Sequence, residues 1–538
     1  MDSTGDILAR NRAVFEWCIR SARRQLGKGQ SEKAAQWCAL ASFLAAGPGW
    51  FGCLANAELE DVLLQIAAIL PTVRPSSSRA LPRRWLHVMT QAWYWGGMVE
   101  NLKRWILFSH EETVNEVVVL DQRNSNWLGP LQAIVEEAGG SLLNLTCSSP
   151  LLEKAAALRR LAAERADAVV LHTSTTDVVP ALAFGVAGGP PILRMNVDDH
   201  MFWPGISAMD LIINFRELGE RWMLAHRGSD RSYLLPLPVA NPAPVALPSR
   251  RTAARVRFGI SDDAVVLLAV GSDYKFKPVG EWDFIKAAER ILARCPGSVI
   301  LVAGVPATGC WQASNPAFAG RLKALGVQTD LTDCHAACDI GLGSVPFPSQ
   351  TAVLEIGLQK KPCVLTPADV PMGINDVAFE QVSQPANMNE YTEMAVQLVF
   401  NPSRRQAEGQ RLAESIDRHH CQNGWRGYWQ GLQKRVVTVE HEVYPLLETK
   451  PMNDEECEFW TTLRVRSGQD ILSHVHFNAI TEKRRIWPMP DRTLNRTQAD
   501  HNVGTILSSA IFGLRKLRFS IGGMRRRILQ SEKSGESI

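Results

Sequence analysis

No run of about 18 consecutive apolar residues occurs in the chain, so no membrane-spanning helix is expected. An excess of charge of one sign is also missing. The 58 Lys and Arg against 55 Asp and Glu leave a formal +3, too small a field to make the whole chain a nucleic-acid binder. The start, Met1-Asp-Ser-Thr-Gly-Asp6, lacks the basic-then-apolar layout of a secretory leader. The 11 cysteines are odd in number and scattered, which predicts reduced thiols in a cytoplasmic protein and excludes a disulfide scaffold. No fixed period repeats along the chain, which argues against a solenoid. What remains is ordinary globular material: 46% apolar residues, enough for real cores. The length corresponds to about three to four domain-sized units.

Residues 1–80 predict a helical region. Phe15, Cys18, Ile19, Ala22 and Leu26 follow one helical face, Ala34 to Phe43 give a second helix, and Leu59 to Leu70 a third. Such a region is either a cap on the body or a docking module for a partner. Residues 71–84 carry prolines, serines and arginines and read as a linker. Over residues 85–235, strands at 85–90, 116–120, 141–145, 168–172, 191–195 and 210–214 alternate with helices at 99–108, 128–138 and 151–165. The proline-rich stretch 236–249 reads as a semi-rigid hinge.

The alternation restarts over 250–435. Strands are expected at 264–270, 298–303, 339–343 and 362–366, with helices at 281–294, 316–325, 333–338, 349–359 and 402–435. The pattern predicts an α/β fold with two Rossmann-like, doubly wound sheets facing a cleft. Residues 436–538 form a C-terminal extension, mixed in pattern over 440–500. In it, 503–530 combine apolar residues with Arg515, Lys516, Arg518 and Arg525 to Arg527. That segment is either an amphipathic contact to an anionic membrane surface or a basic tail.

Loops at the carboxyl ends of strands surround the ligand crevice of an open α/β sheet. After strand 264–270 come Ser272, Lys275 and Lys277; after strand 339–343 come Ser349, Thr351 and Glu355. Ammonium groups, hydroxyls and a helix N-terminus at one rim suit a diphosphate, and a carboxylate suits ribose hydroxyls. Thr351 and Glu355 stand four apart, on one helical face with Thr351 nearer the positive end. In the first half, Gly96 and Gly97 after strand 85–90 would let backbone approach a ligand. Asp199-His200 at a strand end can deprotonate an acceptor hydroxyl, with the carboxylate or a neighbour orienting the imidazole. His172, ending strand 168–172, and Asp177 beyond it face the same predicted rim. His200 and His172 are also compatible with positioning a substrate or with purely structural roles.

Val270-Gly-Ser-Asp-Tyr-Lys-Phe-Lys-Pro278 and Pro348-Ser-Gln-Thr-Ala-Val-Leu-Glu355 resemble the donor-binding segments of GT-B glycosyltransferases. The similarity extends to two groups, the family 4 bacterial enzymes and the O-linked N-acetylglucosamine transferases with their bacterial relatives. It covers residues 85–435. The resemblance implies that Lys275 contacts the donor diphosphate, Thr351 holds phosphate and Glu355 binds ribose. Asn196-Val-Asp-Asp-His-Met-Phe-Trp203 is similar to a segment of envelope-type bacterial transferases. Retaining family 4 enzymes carry a second glutamate eight positions before the first. Here that position is Phe347, so the resemblance leaves retention or inversion open.

The expected activity is transfer of a hexosyl unit from a UDP- or GDP-sugar to an acceptor hydroxyl, in surface polysaccharide or glycolipid synthesis. The nucleotide sugar is a co-substrate, and no other cofactor is expected. The acceptor would be a saccharide, a lipid-linked saccharide or a protein, at the inner membrane face if the tail binds there. No Asp-x-Asp motif follows a predicted strand, and Cys334-His-Ala-Ala-Cys338 has the wrong order for haem attachment and no second ligand pair. No metal site is therefore expected. Two other readings are a nucleotide-sugar epimerase, which needs no acceptor, and a non-catalytic scaffold, which predicts no thermal shift with nucleotides.

Overall fold

The computed structural model describes residues 3–466 except 48, 73–79, 93–96, 123, 146–148, 241–247, 308–310, 312–315 and 447. The expectations for Gly96, for most of the hinge and for the 503–530 tail therefore lie outside the described residues. No described helix is long and apolar enough to cross a membrane.

The chain opens with α1 (Thr4–Gly27), α2 (Ser31–Ala46) and α3 (Ala57–Ala67). A capping box between Ser3 and Asp6 starts α1, satisfying two backbone donors that a helix start otherwise leaves open. Phe15, Cys18, Ile19 and Ala22 are buried on the expected face. They join one apolar cluster with Leu86 and Val88 of the first sheet. The helices are thus a cap sharing a core with the body, and their apolar face is not left open for a partner.

The first sheet holds β1 (Arg84–Met89), β2 (Val114–Val119), β3 (Leu142–Asn144), β4 (Ala168–His172), β5 (Ile192–Met195), β6 (Leu211–Asn214) and β7 (Ser232–Leu234). Its order is β3-β2-β1-β4-β5-β6-β7, parallel throughout. Helices α4 (Gly97–Ser109), α5 (Gly129–Glu137), α6 (Leu151–Arg165), α7 (Val179–Phe184) and α8 (Glu217–Arg227) connect the strands. The three-residue β7 was not expected from the sequence.

After α9 (Pro248–Arg257), the second sheet comprises β8 (Val265–Val270), β9 (Ser298–Ala303), β10 (Leu322–Ala324), β11 (Ile340–Leu342) and β12 (Cys363–Val364), ordered β10-β9-β8-β11-β12. Its helices are α10 (Phe284–Arg294), α11 (Thr332–Ala337), α12 (Gln350–Leu358) and α13 (Met388–Phe400). The helix expected at 316–325 is instead a 3-10 turn, Pro316–Phe318, followed by β10. Gly320 and Gly326 bracket the strand at φ +84° and +72°, a conformation that stops a right-handed helix on either side.

The helix expected at 402–435 breaks at Cys421, whose backbone is extended, into α14 (Pro402–His420) and α15 (Gln422–Val437). The chain thereby returns to the first sheet. Trp425 and Trp429 of α15 share a core with Trp85 and Trp105, all four essentially buried. Each such ring removes roughly 150–250 Å² from water, an upper bound of about 4–6 kcal/mol apiece. Residues 438–446 and 448–453 then run mostly irregularly, pinned where His441 meets the Asp210 carboxylate (2.9 Å) and Met452 N–H donates to the Gly52 carbonyl (2.8 Å). They lead into α16 (Asp454–Thr461) and a π turn, Thr462–Arg466. The mixed pattern of this region concealed both elements.

Candidate active site

In the second sheet β8 lies between β9 and β11, so successive connections leave its two sides in opposite directions. That reversal opens a crevice beyond the carboxyl ends of β8 and β11. The two loops singled out in the sequence leave these two strands, and the structure joins them. Phe347 N–H donates to the Lys275 carbonyl (3.2 Å), and Lys275 Nζ donates to the Pro348 carbonyl (3.2 Å). Gly271 sits in the junction: a Cβ there would lie 2.8 Å from Ser349 Oγ and 3.3 Å from Lys275 Cδ. Ser349 is buried before α12 and accepts a hydrogen bond from Ser344 Oγ (2.9 Å).

Lys275 is half-buried, with its ammonium 5.2 Å from the centre of the Phe347 ring. Loss of water, and then the nearby Arg216 guanidinium, pull its pKa down to about 8. The ammonium remains mostly charged at pH 7 but is poorly solvated and beside a like charge. An anion would relieve both conditions. Ser272 is exposed ahead of the 3-10 turn Asp273–Phe276, and Lys277 is half-buried just beyond it. Thr351 is half-buried in the first turn of α12, with Glu355 one turn on. Glu355 Oε1 accepts from Arg104 Nη2 of α4 at 2.7 Å, so the carboxylate expected to bind ribose carries an ion pair to the first half.

Opposite these loops stands the segment after β5. Trp203 is fixed by its indole N–H to Asn196 Oδ1 (3.1 Å) and lies within about 4.3 Å of both the Arg194 and Arg227 guanidinium groups. The helical cap holds the next turn, where buried Glu60 of α3 accepts from the Gly205 (2.7 Å) and Ser207 (3.0 Å) N–H groups. Between these anchors lie Asp199 and His200. Asp199 receives two bonds from Arg216, Nε at 2.6 Å and Nη2 at 2.7 Å. Burial opposes its ionisation, but Arg216 and His200 hold the carboxyl well below the usual carboxylate range.

His200 Nδ1 lies 3.3 Å from Asp199 Oδ1. Burial lowers the pKa of His200 to about 4; Asp199 opposes this, and Arg464 and Arg216 reinforce it. The imidazole is therefore neutral at pH 7, with Asp199 placed to accept from an Nδ1–H. Its Nε2 makes no hydrogen bond to a described residue, which leaves a lone pair open to a proton.

The two halves meet at this point. The His200 ring is 5.1 Å from Phe347, edge to face, and Lys275 and Tyr274 contact that same phenyl ring. Arg216 also reaches across, with Nη1 donating to the Gly373 carbonyl (3.1 Å). The structure thus brings Asp199 and His200 against Lys275 across a single aromatic ring, with Ser349 in the same junction at Gly271. It does not bring His172 there. His172 is buried, its Nε2 3.0 Å from His87 Nδ1 and its ring beside Trp105, between the sheet and α4. Burial takes its pKa well below the ordinary value, so the rim expected for it is instead core. Asp177 accepts from Thr90 Oγ1 (2.6 Å) and Val179 N–H (2.9 Å), tying the loop after β1 to the start of α7. Gly97 opens α4, and a Cβ there would meet nothing within 4 Å.

Neither a family model nor a curated protein matches the chain. Solved structures do. A glycosyltransferase from Rickettsia africae is 10% identical and aligns over 66% of this chain and 99% of its own, with a TM-score of 0.51. Anabaena HepE in complex with UDP is 15% identical over 66% of this chain and 100% of its own, with a TM-score of 0.50. The fold is GT-B. A Thermobaculum terrenum O-GlcNAc transferase mutant spans more of this chain, 80%, but its TM-score of 0.48 adds nothing to the assignment.

Within the GT-B frame, three site residues escaped the sequence reading. Arg216 had a usable signal, since it stands two residues past the apolar strand Leu211–Asn214, where ligand-side groups of parallel sheets gather. Phe347 was noticed only for the glutamate it replaces. Trp460, whose ring stacks on His200 at 5.1 Å and 12°, comes 260 residues later, and no local pattern could place it.

Proposed function

We propose that this protein transfers a hexosyl unit from a UDP- or GDP-sugar to an acceptor hydroxyl, with the donor on the second half and the acceptor on the first. The observation that carries the reading is the junction at Gly271, where Lys275 and the start of α12 share one crevice facing His200. The UDP complex of HepE, a protein of similar fold, supports the donor class. His200 Nε2 takes the acceptor hydroxyl proton as the oxygen attacks the anomeric carbon. The bond from that carbon to the diphosphate oxygen breaks, and the nucleoside diphosphate leaves with the electron pair. Asp199, kept ionised by Arg216, stabilises the imidazolium that forms.

Lys275, Lys277 and the start of α12 neutralise the leaving group, so the proposed transfer is independent of metal. Closure of the halves excludes water and suppresses donor hydrolysis. A polysaccharide or glycolipid acceptor, handled at the inner membrane face, belongs to the same proposal. It has the sequence-level support of the basic segment 503–530.

A base that activates the acceptor for one displacement inverts the anomeric centre. Phe347 offers no carboxylate for a double displacement. Incubation with a panel of UDP- and GDP-hexoses and a saccharide acceptor should therefore yield a glycoside of opposite anomeric configuration, read from the anomeric proton coupling by NMR. A product of retained configuration contradicts His200 as the base. An epimerised sugar nucleotide formed without acceptor favours the epimerase reading instead.

A further inference from the structure

We infer that residues 452–466, returning from the C-terminal side of the fold, form a strap in which Trp460 and Arg464 are positioning residues for the His200 imidazole. Three contacts fix that ring from three directions. Trp460 lies parallel to it, 12° between planes and 5.1 Å between centres. Arg464 Nη2 donates to the His200 carbonyl at 2.8 Å, fixing the backbone from which the ring hangs. Asp199 holds Nδ1. Arg464 is itself placed over the Trp460 ring at 4.4 Å and near Trp50 of the helical cap at 5.3 Å, so the strap bears on a rigid neighbour.

The strap also touches the second half. Trp460 meets Phe347 at 6.2 Å, and Phe459 meets Trp282 at 5.7 Å, both edge to face. It therefore spans the cleft at the point where His200 and Lys275 approach one another. A stacked indole permits the imidazole to slide little and flip less, and it keeps water from that face of the ring. With one face stacked on the indole and Nδ1 at Asp199, Nε2 is the ring nitrogen left to meet an acceptor. The charged groups around the ring are Asp198 and Asp199 from its own loop, Arg216 from the end of β6, Arg464 from the strap, and Lys275 beyond Phe347.

The catalytic consequence rests on His200 serving as the base, whereas the placement of the ring can be measured without catalysis. We expect Trp460→Leu in the full-length protein to let water reach the imidazole. Its pKa, followed by NMR, should then rise from about 4 toward the ordinary 6.5. The acid limb of the kcat profile should rise with it. At pH 7, kcat should fall about ten- to a hundredfold as geometry is lost, with donor KM changed less than about twofold because Trp460 approaches the donor loops edge to face at Phe347 while the Lys275 bond to the Pro348 carbonyl stays in place. Trp460→Phe should restore both the titration and kcat. Arg464→Met, which frees the His200 carbonyl and takes the cation from over the Trp460 ring, is the second variant should the leucine protein fold poorly, and it should lower kcat in the same KM-sparing way. An unchanged His200 titration in Trp460→Leu overturns the inference, as does a loss confined to KM. A shifted titration in a protein that transfers no sugar even as wild type supports the strap and overturns the transferase reading.

Discussion

Lys275→Ala should lower kcat by about a hundred- to a thousandfold, the usual cost of removing one preorganised group from a developing charge. Its urea midpoint should stay close to that of the wild type. The two expectations come from the same geometry. Among the described residues the ammonium makes one hydrogen bond, to the Pro348 carbonyl, and loss of water with the nearby Arg216 charge depresses its pKa. Removing it sacrifices one bond of about 1 kcal/mol and relieves the repulsion from the Arg216 charge. On the proposed function, the departing diphosphate would lose a cation from its crevice. A variant that keeps full activity, or that loses activity only because it unfolds, contradicts the role assigned to Lys275.

The largest effect on stability is expected at Arg216. Its guanidinium and the Asp199 carboxylate are 3% and 1% exposed as side chains, and the pair is joined by two hydrogen bonds. Arg216→Met strands a buried carboxylate, which should cost about 3–5 kcal/mol in urea denaturation. The linkage to pH has a definite sign. Asp199 titrates below the normal range in the folded protein, so its contribution is present above the ordinary carboxylate pKa and is lost as pH falls through the depressed value. Without Arg216 that dependence should weaken or reverse. Adding Asp199→Leu to Arg216→Met should recover much of the lost stability, because a well-packed apolar pair carries no uncompensated charge. Activity should not return with it, since His200 then has no anion at Nδ1. A single variant as stable as the wild type would contradict the buried pair.

Much of the fold was legible because parallel strands buried on both faces are written as short apolar runs. Val265–Val270 and Ser298–Ala303 are examples. Other elements were missed: the break at Cys421 inside an apparently continuous helix, the helix Met388–Phe400, and a short strand governed by glycine. The strand Leu322–Ala324 spans three residues inside a stretch with helical composition, and only the left-handed glycines on either side reveal it. In the site, Lys275, Ser349 and His200 could be chosen because each follows a strand whose carboxyl end faces the crevice. His172 obeyed the same rule and was misplaced, since the rule fixes the height of a residue on the sheet and not the face to which its side chain turns. Glu355 was placed on the correct helix, but its partner Arg104 lies 251 positions away. The contribution of Trp460 depends on a chain reversal across both halves that no spacing encodes.

The most direct test of the central claim is thermal unfolding of wild type and Lys275→Ala with UDP, GDP and their sugars. If the two loops form one diphosphate site, a nucleotide at a hundred times its Kd stabilises the wild type by about 2.7 kcal/mol through mass action. The variant, with weakened binding, should show little of that shift. No shift with any nucleotide, or an equal shift in both proteins, would contradict a donor site built around Lys275.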